Sequence, residues 1–121
     1  SVKWEFSNDA PIYAQLILQI KVGIVSGTFS PGERLPSVRE LAAEAGVNPN
    51  TMQRALAALE ESGLVSAQRN TGRYVTQDEA CIRETHRSLA QAEIDAFCAR
   101  MRQLGYTQEE IATLFGGNEN E

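Results

Sequence analysis

The sequence predicts a mainly α-helical fold of the α+β class, with three helices, a small β-hairpin and two further helices. Two observations lead to this prediction. Apolar residues recur at steps of three and four in five segments, which is the period of amphipathic helices. Two short runs that favour β-structure, residues 64–68 and 72–76, enclose a three-residue turn and therefore indicate a hairpin.

The first predicted helix starts at Pro11 and ends near Gly27. Proline suits the first position of a helix, because the N–H group that it lacks would have no partner there. The apolar positions are Ile12, Leu16, Ile20 and Ile24, with Tyr13 and Ile17 beside them. Their four-residue spacing predicts one buried face. A turn built on Pro31 and Gly32 follows the helix.

The second and third helices are predicted on either side of a short turn. Ser37 and Glu40 form a capping box that opens the second helix, and Gly46 ends it. Asn48 is a good N-cap for the third helix, and Pro49 is pre-set for its first turn. The inward-facing residues are Leu41, Ala42, Ala55, Leu56, Leu59 and Leu64. Helix, turn, helix and hairpin in this order predict a winged helix-turn-helix.

Two more helices are predicted in the C-terminal part. Residues 78–104 contain neither proline nor glycine, so one long helix is expected there. Its second half carries an apolar seam with coiled-coil-like spacing at Ala90, Ile94, Phe97, Met101 and Leu104. Thr107 and Glu110 form a second capping box before a short final helix. The apolar residues of that helix are Ile111, Leu114 and Phe115.

The predicted domain organisation follows from these elements. Residues 1–76 form the winged helix-turn-helix domain, residues 77–116 form a helical dimerisation tail, and residues 117–121 form a disordered end. On the residues alone the seam of the tail has two interpretations. It packs on the winged helix of its own chain, or it packs on a second subunit.

Charge is divided unevenly along the chain. The formal net charge is −5. Residues 1–77 carry seven basic and seven acidic side chains, whereas residues 78–121 carry four basic and nine acidic ones. The acidity therefore belongs to the C-terminal part, and the neutral N-terminal part is free to present a basic face to a polyanion.

Composition argues against several functional classes. Cys81 and Cys98 lie in a helical pattern without metal-type spacing, which favours reduced thiols in a cytoplasmic protein. No apolar run is long enough for a membrane span, and the first residues lack the layout of a signal peptide. His86 is the only histidine, and no nucleophile–base set or Gly-rich phosphate loop accompanies it. We therefore expect no enzyme activity, no cofactor and no metal site.

The start of the third helix carries the residue types that read DNA. An α-helix in the major groove contacts bases with its N-terminal residues. Asparagine and glutamine pair with adenine, arginine pairs with guanine, and threonine contacts a base or a phosphate. The candidate residues here are Asn48, Asn50, Thr51, Gln53 and Arg54. The alternative is that asparagine and threonine serve as helix caps and that the glutamine–arginine pair is a solvated face.

Three motifs give the chain a family resemblance. They are G-x-x-x-P-G-x-x-L-P-S-x-R-E-L-A from Gly27 to Ala42, G-V-N-P-N-T from Gly46, and L-E-x-x-G-L-V from Leu59. With them, residues 11–75 resemble the winged-helix DNA-binding domain of the GntR family of bacterial transcription regulators. The N-P-N-T turn and the short helical tail resemble the YtrA-like subfamily.

The resemblance implies DNA-contact roles for particular residues. The arginine of S-x-R-E contacts DNA in that family, which points to Arg39, with Ser37 near the DNA backbone. The polar positions at the start of the recognition helix fall on Asn48, Asn50 and Thr51, and the arginine-like contact one turn on falls on Gln53 or Arg54. The tip of the wing falls on Arg69, Thr71, Gly72 and Arg73. Many relatives carry arginine where this chain has Pro49, so the base preference of better-known members does not transfer. The alternative is that Arg39 pairs with a nearby acid and that the wing arginines only keep the hairpin edge soluble.

The resemblance also implies a function. It favours packing of the tail on a second subunit, and hence a homodimeric repressor bound to a palindromic operator in double-stranded DNA. The subfamily implies control of membrane-transport genes, often of ABC type. No residue of the sequence identifies an inducer, and release by an unknown small-molecule effector is a separate hypothesis. An alternative function is a protein-interaction module whose acidic tail docks a basic partner protein.

Overall fold

The computed structural model describes residues 2–116 and contains seven elements in the predicted order. They are α1 (Ile12–Val25), α2 (Val38–Ala45), α3 (Pro49–Glu61), β1 (Val65–Gln68), β2 (Gly72–Val75), α4 (Glu79–Gln103) and α5 (Gln108–Gly116). The strands pair antiparallel, with Val65 opposite Val75. The predicted α+β fold, a winged helix-turn-helix followed by two helices, is confirmed. The disordered end predicted for residues 117–121 lies outside the described residues.

Helix α1 supplies one side of the core. Leu16, Ile20 and Ile24 are buried, as their four-residue spacing predicts. Ile12 is 37% exposed, so the prediction that it faces the core was wrong. The reason is its place in the first turn of α1, one turn before the first position that the other helices cover.

The N-terminal segment runs along α1, which the sequence did not predict. Gln19 donates from Nε2 to the carbonyl oxygen of Glu5 at 2.7 Å and accepts the N–H of Glu5 at 3.0 Å. Gln15 makes the same pair of hydrogen bonds with Ser7, both at 2.9 Å. The segment residues that pack against the core are Val2, Trp4 and Phe6. Because two distant glutamines hold its backbone, the segment has no local pattern that would reveal it.

The turn built on Pro31 and Gly32 is present, and the chain after it pairs with β2. Arg34 and Tyr74 form an antiparallel bridge that adds a third, strand-like edge to the hairpin. The sequence predicted only the turn at this place. A single bridge has no repeating apolar pattern, and therefore leaves no periodic signal in the sequence.

The turn between α2 and α3 is tight and depends on one glycine. Gly46 has φ of +71°, a left-handed conformation that a residue with a Cβ adopts at a cost. In this conformation the N–H of Val47 donates to the carbonyl of Ala42 at 3.0 Å and ends α2. The turn thereby fixes the angle at which α3 leaves α2.

A single core joins the three helices and the hairpin. Its buried residues are Leu16, Ile20, Ile24, Phe29, Leu35, Leu41, Ala42, Met52, Ala55, Leu56, Leu59, Leu64, Val65 and Val75. All six predicted inward-facing positions are among them, five on α2 and α3 and the sixth, Leu64, just past the end of α3. Met52 is also fully buried, one turn before Leu56, although the predicted stripe began only at Ala55.

The chain divides into two compact units, one extending to His86 and the other beginning at Arg87. The second unit contains most of α4 and all of α5. Within it the rings of Phe97 and Phe115 lie 5.7 Å apart at a tilt of 53°, and Ile111 is 3% exposed. No residue of α4 is buried among those described. Among the described helices, none combines the length and the apolar character that a membrane crossing requires.

Candidate nucleic-acid interface

Helix α3 presents one exposed polar face. Asn50, Gln53, Arg54 and Ala57 are exposed and follow each other at steps of three, one and three residues, so they share one side of the helix. The opposite side carries Met52, Ala55, Leu56 and Leu59, all buried. The burial of this apolar side fixes the rotation of α3 and turns the polar side outward.

Asn48 and Pro49 set the start of this face. The Oδ1 atom of Asn48 accepts the N–H of Asn50 at 2.7 Å, which confirms the predicted N-cap. Pro49 occupies the first position, where no donor is required. The cap engages the acceptor of Asn48 and leaves its side-chain amide nitrogen as a free donor at the edge of the face. Thr51 is half-buried on the flank of the helix.

The start of α2 lies beside the turn and carries a complete capping box. The Oγ atom of Ser37 accepts the N–H of Glu40 at 3.1 Å, and the Glu40 carboxylate accepts the N–H of Ser37 at 2.9 Å. The hydrogen bond from the Ser37 backbone is the largest of several causes that hold the pKa of Glu40 below its ordinary value. Ser37 is thus engaged in the fold, and its contact with DNA remains a prediction.

Arg39 follows on α2 and is exposed. Its guanidinium makes no hydrogen bond or ion pair with any residue in the range 2–116. The alternative of an ion pair with Glu40 is therefore not realised, because the carboxylate of Glu40 is turned back to the Ser37 N–H. All five N–H groups of Arg39 remain available to a ligand.

The tip of the wing is shaped by Asn70 and Gly72. Asn70 has φ of +66°, which asparagine tolerates better than most residues, and the N–H of Thr71 donates to the carbonyl of Gln68 at 3.1 Å. Gly72 has φ of +123°, and a Cβ built there would lie 2.9 Å from Nε of Arg34. The wing therefore needs glycine at 72 for its conformation, whereas the exposed and flexible side chain of Arg34 is able to move aside.

The two wing arginines have different surroundings. Arg73 donates from Nε to Oε1 of Glu60 on α3, at 2.5 Å. Arg69 is exposed and makes no ion pair within residues 2–116. Arg73 therefore joins the hairpin to α3, and only Arg69 keeps all its donors free.

Sequence reasoning missed Arg34. An open cleft of about 630 Å³ lies between α2 and the wing, and the residues of the Glu33–Glu40 stretch, Gly72 and Arg73 line it. Arg34 lines this cleft together with Arg39 and Arg73, and the acidic residues Glu33 and Glu40 line it as well. The available signal was that Arg34 stands in the G-x-x-L-P motif, two residues after the turn glycine, but that motif has no fixed residue at this position.

The comparison with protein families decides the identity of this domain. The family described as bacterial regulatory proteins, gntR family, matches residues 12–75, from the start of α1 to the end of β2. This match covers more than half of the chain and all of the winged helix. The chain belongs to the GntR family.

Known GntR-family proteins match nearly the whole chain. The HTH-type transcriptional repressor YtrA of Bacillus subtilis (strain 168) is 35% identical over 123 residues, which are 94% of this chain and 95% of YtrA. The uncharacterized HTH-type transcriptional regulator YhcF of the same organism is 36% identical over 107 residues, 88% of each protein. Both matches include the helical tail, so this regulator is YtrA-like in its whole architecture.

Solved structures agree with this assignment. A GntR family transcriptional regulator from Listeria monocytogenes has a TM-score of 0.82 and 38% identity, and the match covers 93% of this chain and 98% of that one. The DNA-binding domain of AraR in complex with operator ORX1 has a TM-score of 0.57 and 26% identity, over 62% of this chain and 96% of that one. This GntR-family member is a DNA-binding transcriptional regulator, and its relatives are regulators rather than enzymes.

Proposed function

We propose that the protein is a homodimeric transcriptional repressor that binds a palindromic operator through α3. The exposed face of α3 carries this proposal. The side chains of Asn50, Gln53 and Arg54 make no hydrogen bond with another residue of the described chain, so their donors and acceptors are free for base edges.

The proposed complex places the N-terminal half of α3 in the major groove. Asn50 and Gln53 are suited to adenine, and Arg54 is suited to guanine. Asn48 and Thr51 flank these residues and are suited to phosphate, which the positive end of the helix dipole also favours. The AraR domain, which is structurally similar, forms a complex with an operator, and this supports DNA binding by the present domain.

The proposal also includes DNA contacts from α2 and from the wing, on either side of α3. Arg39, with Ser37 near it, is positioned to meet a phosphate or a guanine from α2. The wing, with Arg69, Thr71, Gly72 and Arg73, extends to the neighbouring minor groove or backbone. The cleft between α2 and the wing is lined by three arginines and two glutamates, which gives this edge a small excess of positive charge, although residues 1–77 as a whole are neutral.

Exposed apolar side chains of the second unit support a dimer. Ile94 is 53% exposed, Leu104 is 73% exposed and Phe115 is 70% exposed. The full set of proposed dimer residues is Ala90, Ile94, Phe97, Met101, Leu104, Ile111, Leu114 and Phe115. Ile111 is already buried in its own chain, so its role is to hold α5 in place. A 25-residue helix with no buried residue needs a partner surface, because local propensity alone gives marginal stability.

A two-fold dimer predicts the form of the operator. Half-sites should lie one helical turn apart, about 10 bp, or a multiple of that distance. The C-terminal residues carry the net charge of −5 and should therefore face away from the duplex. The relative YtrA is a named repressor, which supports repression here. The resemblance to its subfamily extends the expectation to ABC-type transporter genes and to release by a small effector of unknown identity.

Selection of bound sequences from a random DNA pool tests the proposed function. We expect an enriched palindrome, and an affinity that falls by orders of magnitude from 50 to 200 mM salt as phosphate contacts release counterions. A shuffled duplex of equal length is the control. If no sequence is enriched and the two duplexes bind equally at low salt, the alternative of a protein-interaction module gains support and this proposal fails.

Sedimentation tests the proposed dimer. Leu104→Glu places a charge on the proposed seam, and the neighbouring Gln103→Glu places the same charge beside it. We expect Leu104→Glu to be monomeric at micromolar concentration and to bind the full palindrome no better than a half-site, while Gln103→Glu stays dimeric. A wild-type protein that is monomeric at that concentration would refute the proposed dimer. DNA binding by each winged helix would still be tested by the selection from the random DNA pool.

A further inference from the structure

Arg54 of α3 is stacked on a tyrosine of α1. Its Cζ atom lies 3.7 Å from the centroid of the Tyr13 ring, well within the distance of a cation–π contact. Tyr13 is half-buried, whereas Arg54 is exposed. The ring is therefore held by the fold, and the guanidinium lies on its outer face.

This stacking leaves the hydrogen-bonding edge of Arg54 unused. A cation–π contact engages the flat face of the guanidinium, while its N–H groups point outward in the plane. Arg54 donates no hydrogen bond and joins no ion pair with any residue of the range 2–116. Arg73 makes a useful contrast, because its Nε is already bonded to Glu60. Tyr13 thus restrains Arg54 without occupying any of its donors.

The position of Arg54 on α3 matches this arrangement. Arg54 lies four residues after Asn50 and three before Ala57, so it is on the exposed face. It occupies the flank of that face nearest α1, where Tyr13 stands. Gln53 lies on the other flank, on the side of Glu60, which is bonded to the wing. The side chain at 57 is only a methyl group, which leaves space beside the restrained guanidinium.

We propose that Tyr13 is a positioning residue that presents Arg54 to one guanine in each operator half-site. The inference rests on the proposed binding of α3 to DNA. It adds that Arg54 recognises guanine and that Tyr13 holds Arg54 in position for this contact. A free arginine loses rotamer freedom when it binds a base, whereas a stacked arginine has lost part of it already. The planar edge of the stacked group matches the paired acceptors O6 and N7 of guanine.

The test compares base preferences rather than affinities alone. Wild type, Arg54→Ala, Tyr13→Phe, Tyr13→Leu and the double variant Tyr13→Leu/Arg54→Ala are each given the random DNA pool. Each is then titrated with the selected operator and with operators changed at single G·C pairs. Tyr13→Phe keeps the aromatic face and removes the hydroxyl, and Tyr13→Leu keeps apolar bulk and removes the face.

We expect one G·C pair per half-site at which wild type discriminates roughly 5- to 150-fold, and at which Arg54→Ala does not discriminate. Tyr13→Leu should reduce that discrimination by roughly 2- to 5-fold, the size expected from losing an exposed cation–π contact. Tyr13→Phe should retain it. In the Arg54→Ala background, Tyr13→Leu should change no base preference.

Two results would overturn the inference. One is an Arg54→Ala variant whose base preferences equal those of wild type. The other is a Tyr13→Leu variant that weakens every sequence equally, because a structural role alone lowers affinity without changing preference. Thermal melting of both Tyr13 variants measures that structural role separately. If wild type itself selects no sequence, the proposed function fails; if it selects one and Arg54→Ala selects the same, only this inference fails.

Discussion

Arg73 of the wing is bonded to Glu60 of α3, with 2.5 Å between Nε and Oε1. The two side chains are 20% and 29% exposed, so water screens the pair only in part. The pair links the hairpin to the helix that we propose reads DNA. It also neutralises an acidic group beside the proposed DNA-binding surface. An arginine predicted from the sequence as a DNA contact is therefore first a link within the domain.

Removing Arg73 should cost more binding than removing a free arginine. Arg73→Gln leaves the Glu60 carboxylate unpaired beside the proposed DNA surface, whereas Arg69→Gln removes only one exposed charge. We expect a larger loss of operator affinity for Arg73→Gln, and partial recovery when Glu60→Gln is added. The stability change should stay within about 1 kcal/mol, as for other partly exposed ion pairs. Fluorescence anisotropy measures the operator affinity and thermal melting measures the stability. Equal losses of affinity for Arg73→Gln and Arg69→Gln would contradict the prediction.

Arg39→Ala should weaken operator binding in one of two distinguishable ways. If Arg39 contacts phosphate, every sequence should bind more weakly and the slope of log affinity against log salt should fall by about one. If it reads guanine, one base position should lose about 1–3 kcal/mol of discrimination. Arg83→Ala, an exposed arginine of α4, is the matched control. A salt titration on operator and shuffled duplex separates these cases, and an Arg39→Ala variant with unchanged affinity would exclude both.

Asn48 should affect folding and binding through different atoms. Asn48→Ala removes the cap acceptor for the Asn50 N–H and should destabilise the domain by about 0.5–2 kcal/mol. Asn48→Asp keeps an acceptor and adds a negative charge that the helix dipole favours, so its stability should match wild type. That charge should nevertheless repel DNA and lower operator affinity. Thermal melting measures the stability of the two variants, and fluorescence anisotropy measures their operator affinity. An Asn48→Asp variant with full affinity would show that residue 48 lies away from the phosphates.

Glu40 should give α2 a stability that depends on pH. Its pKa is lowered in the folded protein, chiefly by the hydrogen bond from the Ser37 backbone and also by the Ser37 hydroxyl and the charge of Arg34. A lowered pKa stabilises the fold above the ordinary carboxyl pKa, and the stabilisation is lost as pH falls through the folded value. Glu40→Gln retains an acceptor without titrating. We expect the wild type to have a higher melting temperature than Glu40→Gln at pH 7, and we expect this difference to vanish in acid. A difference in melting temperature that did not change with pH would argue against ionisation of Glu40 as its cause.

The sequence predicted the elements well where local chemistry determines them. Ser37 and Asn48 cap their helices, Gly46 ends α2, and the apolar spacing on α3 gives the buried side correctly. These features depend on residues within four positions of each other. Local physics is then enough to place a helix and to fix which side of it faces outward.

What the sequence did not reveal depends on contacts across the chain. The stacking of Arg54 on Tyr13 joins residues 41 positions apart, and the clasp of Gln19 on Glu5 joins residues 14 apart. Arg34 lines the cleft between α2 and the wing because the chain bridges to Tyr74 there. Such long-range contacts leave no periodic or capping pattern in the sequence. The details of the candidate site could therefore be seen only in the three-dimensional structure.

The N-terminal segment, which is held on α1 by Gln15 and Gln19, has a spectroscopic consequence. Trp4 is the only tryptophan of the chain, and it lies on the core of the winged-helix unit. Indole emission during chemical denaturation therefore follows that unit alone, whereas far-ultraviolet ellipticity sums over all five helices. If dissociation of the proposed dimer unfolds α4 and α5 before the core opens, the two optical transitions will separate, and only the ellipticity midpoint will move with protein concentration.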